Sequence, residues 1–166
     1  MSRYVDEQLQ DFLLHKQYVL KSGNLMINYL LRNHRQQEAL SLLKRLAVHD
    51  NSKIFSDELD YIMKLSCNKQ SFTNPNYSLS EDEKIIIEKH WKHNKHHPEY
   101  HDNIEDMSEL DIMEMVCDWH SRSTQYGTDF FEFVTTRQEN RFHFPKEMFE
   151  KILKYCDIIQ TESNAI

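Results

Sequence analysis

At 166 residues the chain is long enough for one domain with a proper core and too short for two well-packed ones. Its 39% hydrophobic and 28% charged residues exclude a disordered polymer, and a net charge of -7 argues against duplex nucleic acid as a partner. Two glycines and three prolines leave long stretches without a chain breaker, which favours helices over many short strands and turns.

In chain order, residues 3–32 are expected to form one long helix. Val5, Leu9, Phe12, Val19, Met26 and Leu30 make its apolar stripe, and Gly23 is a candidate kink. A second helix is expected over 36–50, with Ala39, Leu40, Leu43, Leu46 and Ala47 inward. Ser56 suits the N-cap of a third helix running to about Ser66, with Asp57 and Glu58 in its first turn. Residues 67–80 (CNKQSFTNPNYSLS) read as a long polar loop that could rim a site. Ser80 with Glu83 forms a capping box for a fourth helix, which should end before Pro98. Ser108 with Asp111 opens a fifth over 109–122. Thr128 and Pro145 open two more, near 128–140 and 145–160, with Pro145 suited to a first turn.

The expected architecture is all-α: a compact single domain of about seven helices, with a core over about 5–125 and C-terminal helices over about 128–160. Cys67, Cys117 and Cys156 are far apart and form no CxxC pair, so neither a disulfide framework nor a thiolate zinc site is indicated. No apolar run approaches the roughly 18 residues of a membrane span, and the first residues lack the pattern of a signal peptide. A cytoplasmic protein with no membrane partner is expected; the oligomeric state is left open.

Ten histidines stand out, and their placement matters more than their number. His15 lies three residues after Phe12 and four before Val19, on the apolar stripe. His49 and Asp50 follow Leu46 by three and four. His90 follows Ile86 and Ile87 at the same spacings, and Asp118 follows Glu114 by four. Four helices therefore aim imidazoles and carboxylates inward. Burying those carboxylates is costly unless something positive joins them, and a shared divalent cation meets that need. Mixed nitrogen and oxygen donors suit manganese, iron, zinc, cobalt or nickel without choosing among them. His34, His93, His101, His120 and His143 fall outside this pattern and read as surface or capping residues. Trp91, Trp119 and the Phe130, Phe131 and Phe133 cluster read as core, although one of these rings could stack on a base.

The order His15, His49-Asp50, Asp118 resembles the H…HD…D signature of the HD-domain metal-dependent phosphohydrolase superfamily, over about residues 5–125. Within it, the chain looks most like small bacterial and phage proteins that share an HDxSK and an HHPE stretch. Here these are His49-Asp50-Asn51-Ser52-Lys53 and His96-His97-Pro98-Glu99. The resemblance implies His15, His49, Asp50 and Asp118 as first-metal ligands. It implies a second metal, where there is one, on histidines between the HD pair and the last Asp, with Asp50 bridging. His90 and His97 are the candidates, seven residues apart and on one face if the helix persists, with His96 the substitute for either.

Lys53, three residues after Asp50, could reach a substrate phosphate or neutralise the carboxylates. Asp111 or Glu114 could orient a ligand imidazole or act as a base, and Arg122 could bind an anionic substrate. The implied reaction is metal-assisted hydrolysis of a small phosphate ester, with Asp50 or Glu114 taking the proton. A nucleotide (a monophosphate or a cyclic nucleotide) is the expected substrate, as is common in that superfamily. The alternatives are a di-iron HD-fold oxygenase, which needs an H…HD…H…H…D set, and a catalytically silent module that binds a nucleotide or a partner.

Overall fold

The first stripe does form one helix, α1 (Arg3–Arg32), in a computed structural model that describes residues 3–55 and 78–165. The helix continues through Gly23. That glycine marks a close approach rather than a break: a Cβ there would lie 2.2 Å from Leu46 Cδ1, so its absence lets α2 (Gln36–Val48) settle against α1. Between the two, His34 is left-handed (φ 59°) and the Arg35 N–H donates back to the Leu30 carbonyl at 2.9 Å, reversing the chain.

Phe12, His15, Val19, Met26 and Leu30 are buried along α1, whereas Leu9 is 43% exposed. On α2 the buried row is Ala39, Leu42 and Leu46, while Leu40, Leu43 and Ala47 face outward, against expectation. Both rows repeat every three or four residues, so periodicity leaves the face undecided. Packing across Gly23 decides it.

A single helical turn, α3 (Ser52–Phe55), follows α2. The expected helix from Ser56, Cys67 and most of the polar loop fall within residues 56–77, outside the described residues. Helix α4 (Glu81–His93) opens on the expected capping box: Ser80 Oγ accepts from the Glu83 N–H (3.3 Å), and Glu83 Oε2 accepts from the Ser80 N–H (2.8 Å). The chain then passes through two short 3-10 turns, Pro98–Tyr100 and Ile104–Asp106.

Helix α5 (Glu109–Tyr126) carries the second capping box, Ser108 with Asp111, and runs one turn further than its pattern suggests, to a left-handed Gly127 (φ 68°). It is the central helix. Every residue from Asp111 to Trp119 is buried, and it packs against α1, α2, α6 (Phe130–Arg137) and α7 (Lys146–Asn164). A helix buried on all sides cannot show a clean polar face, so its carboxylates need partners inside.

Asp129 rather than Thr128 caps α6, accepting from the Glu132 N–H at 2.8 Å, and Pro145 is the N-cap of α7 rather than a first-turn residue. Between them lies a wide π turn, Gln138–Phe142. The main core joins Val19, Met26, Leu42, Ile112, Ile152 and Tyr155 with free, buried Cys117 and Cys156. The fold is all-α. Among the described residues there is no strand and no helix long and apolar enough to cross a membrane.

Candidate metal centre

The helices deliver the expected side chains to one interior point. α1 brings His15, the α2–α3 junction brings His49 and Asp50, α4 brings His90, and α5 brings Asp118, all buried. Asp50 is left-handed (φ 55°), a conformation that costs a non-glycine residue and persists where its surroundings hold it. Lys16 supplies part of that hold, donating from α1 to the His49 carbonyl (2.9 Å) and to Asn51 Oδ1 (2.5 Å).

His97 arrives differently from expectation. It does not share a helix face with His90, because α4 stops at His93 and Asn94 caps it. The chain folds back instead, placing His97 Nε2 3.1 Å from His90 Nε2 and bringing His96 in as well. His90, His96 and His97 therefore gather at Asp50 together.

The two oxygens of Asp50 face two sets of imidazoles. Oδ2 lies 3.7 Å from His15 Nε2 and 3.6 Å from His49 Nε2; Oδ1 lies 3.3 Å from His90 Nε2 and 3.6 Å from His96 Nε2. Asp118 Oδ1 closes the first set, 3.1 Å from His15 Nε2 and 3.7 Å from His49 Nε2. Donors bound to one cation at about 2.1 Å sit about 3.0 Å apart at right angles and about 3.4 Å apart at tetrahedral angles. The observed separations are edges of that size. Both sets, Asp50 with His90, His96 and His97, and His15 with His49 and Asp118, could hold a metal ion.

The unsatisfied atoms point to the same place. His15 Nε2, His49 Nε2, Asp50 Oδ1, His96 Nε2 and Asp118 Oδ1 are buried and lack a hydrogen-bond partner. Buried polar atoms are rarely left so, and five converging on one point fit a cation.

Electrostatics agree. Burial, with the nearby Arg122 charge, lowers His15 to about 3, which keeps it neutral and able to ligate. Burial disfavours a charged His49 too, but the Asp50, Asp118 and Glu114 carboxylates outweigh it and push the imidazole up to about 10. Burial alone would raise the Asp50 and Asp118 carboxyls, yet surrounding imidazoles, and Lys53 in the case of Asp50, hold both well below the usual range. The site attracts positive charge.

Around these candidate ligands lies a layer of hydrogen bonds that orients them. His49 Nδ1–H donates to Glu114 Oε1 at 3.0 Å, and His96 Nδ1 lies 3.4 Å from the same oxygen. Arg45 donates from Nε to Glu114 Oε2 (2.7 Å) and from a terminal nitrogen to Asp111 Oδ1 (2.5 Å). Ser121 Oγ donates to the Asp118 carbonyl (2.6 Å) and lies 3.2 Å from His15 Nδ1, whose N–H it can accept. Such bonds fix the tautomer that presents Nε2 to a metal. His49, His96 and Glu114 also form a group of ligand type, but the Arg45 guanidinium on Glu114 repels a cation there.

Several expected roles move. Glu114 stands behind His49 with both oxygens engaged, so it is placed to orient imidazoles and not to take a proton from substrate. Asp111 touches no ligand imidazole; it serves Ser108 and Arg45. Lys53 Nζ is 2.6 Å from Asp50 Oδ2, and Arg122 reaches the Tyr126 hydroxyl at 3.1 Å. Lys53 and Arg122 line a cavity of about 200 Å³ with Asp50, His90, His97 and Asp118. Its remaining walls include Trp91, Trp119, Phe133, Arg137, Arg141 and Phe142, so three rings expected in the core face the site. His34, His93 and His143 are exposed, as expected.

Lys16, Arg45, Ser121 and Arg141 are hard to find in the linear pattern, since each acts through a partner more than thirty residues away, and Arg137 joins them only through the cavity it lines. The one hint was Arg45, a helical turn before His49 and so on the same face. No curated protein and no solved structure matches the chain. A family model matches residues 5–158, and the chain belongs to that family, the family of unknown function DUF5662.

Proposed function

We propose that this protein is a metal-dependent phosphohydrolase acting on a small phosphate ester, with one or two divalent transition-metal ions at the Asp50 centre. The observation that carries the reading is the carboxylate of Asp50, whose two oxygens face two imidazole sets at the floor of a cavity that also holds Lys53 and Arg122. His15, His49, Asp50 and Asp118 would hold one ion, and Asp50 with His90, His96 and His97 would hold a second where there is one. This is the ligand order of the HD-domain superfamily, extended by His96.

A divalent cation in such a site supplies Lewis acidity toward a phosphoryl oxygen and makes water more acidic. The chain's own residues do the rest. Lys53 and Arg122 bind and orient the anionic oxygens of the ester and offset charge that builds during attack. With Glu114 turned away, Asp50 and Asp118 are the carboxylates on the cavity wall among the described residues, and either would accept the proton that water gives up.

The same six or seven ligands would serve a di-iron oxygenase. Four cationic side chains in the cavity wall, Lys53, Arg122, Arg137 and Arg141, favour an anionic ester over an oxidisable neutral substrate. The test is metal analysis of the purified protein, then a phosphatase and phosphodiesterase screen, nucleotides first, with manganese, iron, zinc, cobalt and nickel. Hydrolysis of one class of ester, dependent on metal, is expected. No hydrolysis with any metal, together with oxygen consumption by the iron form, would establish the oxygenase; tight nucleotide binding with neither activity would establish a binding module.

A further inference from the structure

The cavity extends from the metal centre to a wall built by residues outside the HD-like segment. The π turn Gln138–Phe142 is a wide turn of a kind frequent at functional sites. It is clamped: Gln138 Nε2 donates to the Phe144 carbonyl (3.0 Å) and Gln138 Oε1 accepts from the Phe144 N–H (2.7 Å), across a left-handed His143 (φ 49°). This presents Arg141 and Phe142 to the cavity, next to Arg137 from the end of α6.

The two arginines are held over aromatic rings, Arg141 4.0 Å from the centroid of Trp91 and Arg137 4.7 Å from that of Phe133. Burial, and then the charge of Arg141, lower Arg137 to about 10. Two guanidiniums facing one partly buried space repel each other, and an anion between them relieves that repulsion. Glu99, of the HHPE stretch, pairs with Arg141 through one oxygen, while its other oxygen, Oε2, is buried without a hydrogen-bond partner. Among the described residues, Glu99 is the carboxylate paired with Arg141, and it meets that charge with one oxygen only.

We infer that Arg137 and Arg141 form a second anchoring site, which takes an anionic group carried by the substrate at a distance from the phosphate ester being cleaved. The substrate class is then a phosphate ester bearing a carboxylate or a second phosphate. This rests on the phosphohydrolase reading for the other end of the cavity, and it adds Arg137 and Arg141 as specificity-determining residues.

Both tryptophans of the chain, Trp91 and Trp119, line the cavity, so intrinsic fluorescence reports its occupancy without turnover. The manganese-loaded protein is titrated with glycerol phosphate, phosphoglycerate and glycerol bisphosphate, which share a three-carbon frame and differ in the second group. The doubly anionic probes should bind on the order of tenfold or more tighter than glycerol phosphate, as expected for a charge-assisted contact. The tighter of the two identifies the second group as carboxylate or phosphate. R141Q and R137Q should bring the ratio close to one. E99Q, which releases Arg141 from its carboxylate, should raise the ratio, and a gain of this kind does not arise from misfolding. Equal affinities for the three probes in the native protein, or a ratio unmoved by both R141Q and E99Q, would overturn the second anchor. Selective binding of the double anions, with no hydrolysis of these probes or of any ester in the screen with any metal, would uphold the anchor and sink the phosphohydrolase reading. Hydrolysis of glycerol phosphate with equal binding of all three would do the reverse.

Discussion

Glu114→Gln separates three roles that a buried carboxylate beside a metal centre can have. In the native arrangement one oxygen of Glu114 faces His49 Nδ1 at 3.0 Å and His96 Nδ1 at 3.4 Å, and the other accepts from Arg45 Nε at 2.7 Å. Both oxygens accept, so the carboxylate has no place for a donor. An amide nitrogen must therefore meet either the two imidazole N–H groups or the guanidinium. Whichever end it takes, His49 and His96 lose a charged acceptor and their Nε2 atoms are less firmly aimed at Asp50. Loss of an outer partner of this kind lowers metal affinity by about ten- to a hundredfold, or about 1.4 to 2.7 kcal/mol.

The assay is competition for manganese or zinc between the protein and a chelating dye, run beside a steady-state rate on the best ester found. The fold should survive, because Arg45 keeps Asp111 Oδ1 at 2.5 Å. An orienting Glu114 gives weakened but saturable metal binding, with the rate largely restored at saturating metal. Complete loss of one ion would make Glu114 a ligand. Native affinity with a rate depressed even at saturating metal would make it the base. Either result refutes the argument from its hydrogen bonds.

Other substitutions test the remaining links. Asp50→Asn keeps a residue that tolerates the left-handed backbone, so it should fold and yet lose the rise in melting temperature that metal gives the native protein; a retained rise would remove Asp50 from the ligands. Lys53→Ala should retain metal and slow turnover on the order of a hundredfold, since an ammonium is not a ligand at neutral pH; unchanged turnover would reduce Lys53 to a partner of Asp50. Replacing His34 or His143 by Asn, which suits their positive φ, should leave metal content unchanged by elemental analysis, and loss of metal would mean the ligands are misassigned. Gly23→Ala should lower stability by about 1–3 kcal/mol in urea, because the new methyl overlaps fully packed Leu46; a neutral or stabilising result would show that Leu46 can turn aside.

How far the linear sequence reaches differs between helix ends and helix faces. The capping boxes at Ser80 and Ser108 are complete within four residues, so both helix starts could be read directly. The inward face of α2 could not. Leu40, Leu43 and Ala47 repeat as regularly as Ala39, Leu42 and Leu46, and only the close approach at Gly23, in another helix, distinguishes them. The convergence of these side chains was legible for a related reason: His15, His49, Asp50, His90 and Asp118 each stand at helical spacing from a neighbour on an apolar stripe, and a polar group on such a stripe announces an unmet need.

What stayed hidden is the layer that answers that need from elsewhere in the chain. Lys16 is an ordinary exposed-looking cation that nothing local separates from Lys21, and Arg45 differs from Lys44 only in standing one helical turn before His49. Lys16 fastens the carbonyl of His49 from α1, and Arg45 fastens Glu114 across to α5, so the two cations brace the HD turn from opposite neighbours. Asp50 can then occupy a left-handed conformation that an unsupported turn would relax. That conformation aims its oxygens at two groups of imidazoles at once, which a helical continuation of α2 would not do while carrying His49 and Asp50 on adjacent positions 100° apart. The chemistry of the centre thus depends on a backbone setting whose cause lies in two helices that contribute to it through cations rather than through ligands alone.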